Sequence, residues 1–348
     1  VTSDGFEVES DGEGGSEGKN SPARPAHEAW IDTLPRDKKG ALKNTFAVLC
    51  AIIRNAPEFA TLRHNDMTLS PELHGETLPE SEALRFREHI ENRYGISPAW
   101  QNVLQAIQMV SRENRFHPVR EYLQSLRWDG TPRVDSVLDR ILGVPNVTEL
   151  HRLMLRRWFV SAVARGISPG SKVDTALVLV GKQGHRKSTF FSVLGGEWFN
   201  DSQIDIRNKD SMLQLAASWI YEWGEIEQIT NAREASEVKA VLSSRKDLFR
   251  PPYERGVQAV PRGCVLVGTT NQAQFLNDET GSRRFWVIPA PAKINVDGLA
   301  AARDQLWAEA VMLYQDGETW WLEESDDRER EADAERYQQS SPWEDEIT

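Results

Sequence analysis

Nine residues, GKQGHRKST at 181–189, set a lysine and two hydroxyls directly after a glycine-bearing turn. A phosphate-binding loop reads G-x-x-x-x-G-K-[ST]. Gly181 opens that pattern, Lys187 and Ser188 close it, and Arg186 stands at the second glycine position. Gly184 adds a flexible point, and Gln183, His185 and Thr189 complete the set that would surround a phosphate. Lys187 would reach the β- and γ-phosphates of a nucleotide, and the Ser188 hydroxyl would ligate Mg²⁺. The bland alternative is a glycine-rich turn with a solvated lysine. Arg186 sets a condition: its side chain fits where the backbone is near-helical, whereas a positive φ would compromise the loop.

Further along, three strand ends carry polar residues. WIY ends in Glu222, with Glu225 three residues on. Glu222 is the candidate for the Mg²⁺ shell and Glu225 for orienting or deprotonating water, and the two roles are exchangeable at this stage. GCVLVGTTN ends in Thr269, Thr270 and Asn271, and Asn271 could sense a γ-phosphate. ETGSRRFWVIP puts Arg283 and Arg284 before a strand, where an arginine finger would stabilise transition-state charge. Each has a blander reading: surface glutamates, which the position directly after WIY disfavours slightly, a turn asparagine, which is preferred for Asn271 taken alone, and a solvated basic turn. Their order suits a ring-forming ATPase. Between them, LFRPPYERGVQAVPRG interleaves Arg250, Tyr253, Arg255 and Arg262 with prolines, as a loop or hairpin touching a DNA backbone would.

These residues need elements to hold them. TALVLVG reads as a buried parallel strand and STFFSVLGG as a short helix, so the loop joins a strand to a helix N terminus, which offers N–H groups to an anion. Residues 1–27 are Gly/Ser/Glu-rich and are expected to be disordered. A mainly helical N-terminal domain is expected over 28–170, with helices beginning near Lys39 and at Ser81, and a hairpin or loop between them. An α/β domain is expected over 171–321 and an acidic tail over 322–348.

The formal charge is −12 over 348 residues. The first 28 residues hold −5 and residues 322–348 hold −8, leaving +1 for the body, so basic residues there could still line a channel. No apolar run approaches the ~18 residues of a membrane span. Cys50 and Cys264 lie in apolar runs and read as reduced core residues of a cytoplasmic protein, without zinc spacing.

The string FHPVREYLQSLRWDGTPRVD, PGSKVDTALVLVGKQGHRKSTFF, IYEWGEIE, VKAVLSSRKDLFRPPYER, VPRGCVLVGTTNQAQFLNDETGSRRFWVI and DQLWAEAVMLY resembles the virulence-associated E family over roughly residues 115–321. These are P-loop ATPases of phages, prophages and mobile islands, related to superfamily 3 helicases. The resemblance implies an AAA-like α/β core, ATP with Mg²⁺, a homo-oligomeric ring and replication of mobile DNA, so the expectation is a DNA helicase, translocase or replication ATPase with single-stranded DNA as its partner. It places Lys187 and Ser188 in the phosphate loop, Glu222 and Glu225 in the acidic motif, Asn271 as sensor and Arg283 or Arg284 as finger. Arg186 departs from the glycine such loops commonly carry. Relatives often continue past this chain's last residue, so a further C-terminal region is expected. Two rivals remain: a nucleotide-gated assembly module with little hydrolysis, and a small-molecule kinase, which the absence of a lid segment disfavours.

Overall fold

The computed structural model describes residues 26–202, 209–224, 239–251, 256–275 and 282–338. The chain divides into two compact units, residues 1–62 with 79–110, and residues 63–78 with 111–348.

The first unit is helical. Its helices are α1 (Phe46–Asn55), α2 (Glu82–Tyr94) and α3 (Trp100–Ser111). α1 begins later than its apolar pattern suggests. The Asp37 carboxylate accepts from the Lys39 and Ala41 amides and folds 37–41 into a turn, and Thr45 then caps the helix through the Val48 amide. Gly95, at φ 69°, stops α2 in the left-handed conformation that favours glycine.

The second unit opens with a small sheet. β1 (Arg63–Asn65) pairs antiparallel with β2 (Ser70–Leu73), β2 with β3 (Glu76–Thr77), and β1 runs parallel to β4 (Arg115–Phe116). The helices α4 (Pro118–Ser125), α5 (Val137–Arg140) and α6 (Glu149–Ile167) follow. Then come β5 (Ala176–Val180), α7 (Lys187–Gly195), β6 (Phe199–Asn200), α8 (Lys209–Ala216) and β7 (Ile220–Trp223). A hairpin of β8 (Lys246–Phe249) and β9 (Gln258–Pro261), then β10 (Val265–Thr270) and β11 (Phe285–Pro289), complete the strands. Helices Val296–Gln315 and Glu324–Ala334 follow.

Five strands form one parallel sheet in the order β11-β5-β10-β7-β6. β5 and β10 are buried along their whole length, as a parallel sheet covered on both faces requires. Alternation assigns the faces. Leu177 and Leu179 join Phe190 and Phe191 of α7, Trp158 and Phe159 of α6, and Trp307 in one core. Val178 and Val180 face the other way, toward Phe275 and Ala334. Trp219 and Trp307 pack with ring centroids 4.3 Å apart and planes tilted by 41°, and their indole N–H groups donate to the carbonyls of Ala162 and Leu194.

This core corrects two expected boundaries. Residues 118–167 are mainly helical, yet α4 and α6 bury against the parallel sheet and belong to its unit, so the division near residue 170 does not hold. At Gly166 of α6 an added Cβ would lie 2.8 Å from Val119 of α4, which shows how closely those helices pack. The segment after 321 is not wholly a tail either. Helix Glu324–Ala334 buries Ala334 and Arg330, and Tyr337 packs beside Phe275. Charge composition conceals this because one narrow face is enough to dock a helix. The tail expected at 1–27 lies almost entirely outside the described residues.

Candidate functional site

The segment 181–186 runs from the end of β5 to the start of α7. Gly181 is required by packing, because a Cβ there would sit 2.2 Å from the Ala290 carbonyl oxygen at the end of β11. Gly184 has φ 82°. Arg186 has φ 65° and ψ 33°, so the backbone keeps the left-handed geometry a glycine would supply. That region is sparsely populated but sterically allowed for an L-residue, at about 1 kcal/mol or somewhat more. The positive φ therefore does not abolish the turn, and Arg186 adds a half-buried cation to the cavity wall. Among the described residues no side chain caps α7, which leaves its N terminus suited to an anion.

Lys187 is the first residue of α7 and is buried. Its ammonium donates to the carbonyls of Gly181 at 2.7 Å and Lys182 at 3.1 Å, and to Asn271 Oδ1 at 2.8 Å. Asn271 directly follows β10, which lies between β5 and β7, so it reaches the loop from the neighbouring strand. From β7, the Glu222 carboxylate faces the same place. Its Oε1 accepts the Ser188 hydroxyl at 2.7 Å and the Thr269 hydroxyl at 2.6 Å. Glu222 is 2% exposed, and its Oε2 has no hydrogen-bond partner among the described residues. Burial holds its pKa above the usual carboxylate value. The two hydroxyl bonds work against that, and the nearby Asp201 charge adds to it.

These groups border a cavity of about 480 Å³ that is also lined by Gln183, Gly184, Arg186 and Thr189. It opens at the carboxyl ends of the parallel strands, where ligands of open α/β sheets bind. An ammonium, a helix N terminus, a hydroxyl and a carboxylate with a spare oxygen can together hold a polyphosphate with a hard cation.

Not every expected residue converges. His185 turns away: its Nδ1 pairs with the Ala290 carbonyl at 2.8 Å, and its own carbonyl accepts from Ile294, so it anchors the loop instead of facing a ligand. Arg262 is a correction. It is buried and paired through two nitrogens with the Asp247 carboxylate, with a further bond to the Val241 carbonyl, so it has no surface to offer a DNA strand. Arg250 is exposed just beyond β8. Arg283 is exposed and Arg284 half-buried, with Nε 3.3 Å from Ser243 Oγ, and neither lines the cavity. Glu225, Tyr253 and Arg255 lie outside the described residues. Four cavity residues, Asp201, Gly224, Thr269 and Thr270, carried no sequence assignment. Thr269 was visible only as a polar strand end, and Asp201 follows a two-residue strand too short to show a pattern.

No helix among the described residues is long and apolar enough to cross a membrane. No curated protein matches the chain. Among solved structures, an apo structure of the NrS-1 C-terminal region aligns with a TM-score of 0.49 and 10% identity, over 78% of this chain and 71% of that one. An A-form apo structure of the same region gives 0.40 and 13%, over 65% of this chain and 53% of that one, so this chain spans about half its length. The virulence-associated protein E-like domain matches residues 123–339, a stretch that contains the whole parallel sheet and the cavity at its edge. The chain belongs to the virulence-associated protein E-like family.

Proposed function

We propose that this chain is a P-loop ATPase with an AAA-like, superfamily 3 helicase-like core, which hydrolyses ATP with Mg²⁺ while bound to DNA in the replication of a phage or mobile element. One observation carries the reading: Lys187, Asn271, Glu222 and Ser188 converge from three adjacent strand ends onto one cavity.

Each residue has work at its position. The Lys187 ammonium would exchange its loop carbonyls for β- and γ-phosphate oxygens, and Asn271, already bonded to it, would then face the γ-phosphate. Ser188 Oγ and the carboxylate of Glu222 would hold the cation, and the unpartnered Oε2 together with the raised pKa fits a carboxylate built to face one. Mg²⁺, when bound, neutralises charge developing on the phosphates. Glu225 is proposed to orient water, and Arg284 or Arg283 to act as a finger from a neighbouring subunit of a ring. Arg250, with Tyr253 and Arg255, is the proposed DNA contact.

A second reading has its own support. Lys187 is satisfied by three oxygens of the chain itself, so nucleotide must compete for it. A module that binds nucleotide and hydrolyses it little would look the same. Turnover measured with and without single-stranded DNA separates the two. Lys187→Ala should lower ATP turnover about 10²–10³-fold, as loss of a preorganised charge does. Undiminished turnover in that variant removes the nucleotide site from this cavity.

A further inference from the structure

A second carboxylate borders the cavity, that of Asp201. β6 runs parallel to β7 with Asn200 opposite Tyr221. The residues that come next, Asp201 and Glu222, therefore continue the two strands side by side. The turn holding Asp201 is braced from both sides. Asn200 Oδ1 accepts from the Ser202 amide at 2.8 Å and from its hydroxyl at 2.6 Å, and the Tyr221 hydroxyl donates to the Ser202 carbonyl. Asp201 itself is exposed, and its charge is felt at Glu222. Two acids facing one cavity repel each other. One of them is almost fully buried and presents an oxygen with no hydrogen-bond partner among the described residues. A cation between them relieves both conditions.

Building on the nucleotide-site reading, we propose that Asp201 is a further residue of this site, a carboxylate that bonds through water to the divalent cation held by Ser188 and Glu222 and so raises cation affinity. Water mediation follows from chemistry and exposure: Mg²⁺ dehydrates reluctantly and keeps several waters, and Asp201 is an exposed residue of the cavity wall. Asp201 would thus act on the cation and leave the phosphate contacts of Lys187 and the α7 N terminus alone.

The test uses Mn²⁺ as the probe and needs no turnover. Free Mn²⁺ is measured by electron paramagnetic resonance with the full chain and ADP, and ADP affinity is measured separately in chelator. Asp201→Asn should weaken Mn²⁺ binding about tenfold at low salt and less at high salt, because the charge is partly solvent-screened. Its ADP affinity in chelator should match the wild type. Asp201→Glu, which keeps the charge, should stay near wild type. Unchanged Mn²⁺ affinity in Asp201→Asn overturns the proposal, and so does an Asp201→Glu variant as weak as Asp201→Asn. A wild-type chain that binds Mn²⁺ in an Asp201-dependent way but takes no ADP would sink the nucleotide reading and leave the cation site standing.

Discussion

At Lys187 one ammonium joins the loop, the neighbouring strand end and its own helix, so the loop is preorganised around the charge it would deliver. Its neighbour Arg186 makes the same point through backbone conformation. With φ at 65°, a β-branched side chain would crowd the backbone, whereas glycine would be relaxed. Arg186→Val should therefore lose about 1–2 kcal/mol in denaturant unfolding, and Arg186→Gly should lose none. Equal losses in both would show that Arg186 acts through its guanidinium alone. Glu222 supplies a test by pH. Its carboxyl is raised above 4.5 in the folded chain, chiefly by burial, so the folded state binds more protons than the unfolded one. Stability from this group is then greatest below 4.5 and falls as pH rises through the raised value. Glu222→Gln lacks that loss. In chelator its melting temperature should pull ahead of the wild type between acid and neutral pH, and Mg²⁺ with nucleotide should narrow the gap. Parallel melting curves across that range would contradict the buried, uncompensated carboxylate.

Elements set these residues by strict geometry. β10 lies between β5 and β7 and so brings Asn271 and Thr269 between the loop and the acidic strand end. The β8–β9 hairpin is rooted by a buried ion pair: Asp247 on β8 holds Arg262, the residue after β9, while Arg165 of α6 donates to the Arg262 carbonyl. Removing one member of such a pair strands the other charge in the core. Arg262→Ala should thus cost about 3–5 kcal/mol by denaturant unfolding, and adding Asp247→Leu should recover part of it. A loss under about 1 kcal/mol would place Arg262 among ordinary exposed ion pairs and reopen its availability to DNA.

For the whole molecule, the proposed ring carries the decisive expectation. Arg284 does not line the cavity of its own chain, which suits a finger that serves a neighbour. A finger arginine contributes about 10³–10⁵ in rate to such chemistry. Arg284→Ala should keep nucleotide binding and lose most turnover. Mixed with Lys187→Ala protein, it should regain activity, because some interfaces then pair an intact loop with an intact finger. A mixture as inactive as either variant, with subunit exchange demonstrated, would exclude a finger acting between subunits.

Local chemistry was legible in the chain itself. The strand before the loop, the helix after it, and the polar ends at Glu222 and Asn271 all follow from apolar runs broken by particular residues, and each is local in sequence. What required the fold was everything set by distance along the chain. Arg262 looks like any exposed basic residue until Asp247, fifteen positions away, buries it. Helices α4 and α6 look like a separate domain until their apolar faces meet a sheet formed by later residues. Asp201 shows no signal until parallel pairing sets β6 beside β7. Burial and charge pairing are properties of packed surfaces, so sequence determined which groups were present, and tertiary structure alone decided which of them face the cavity and which are held in the core.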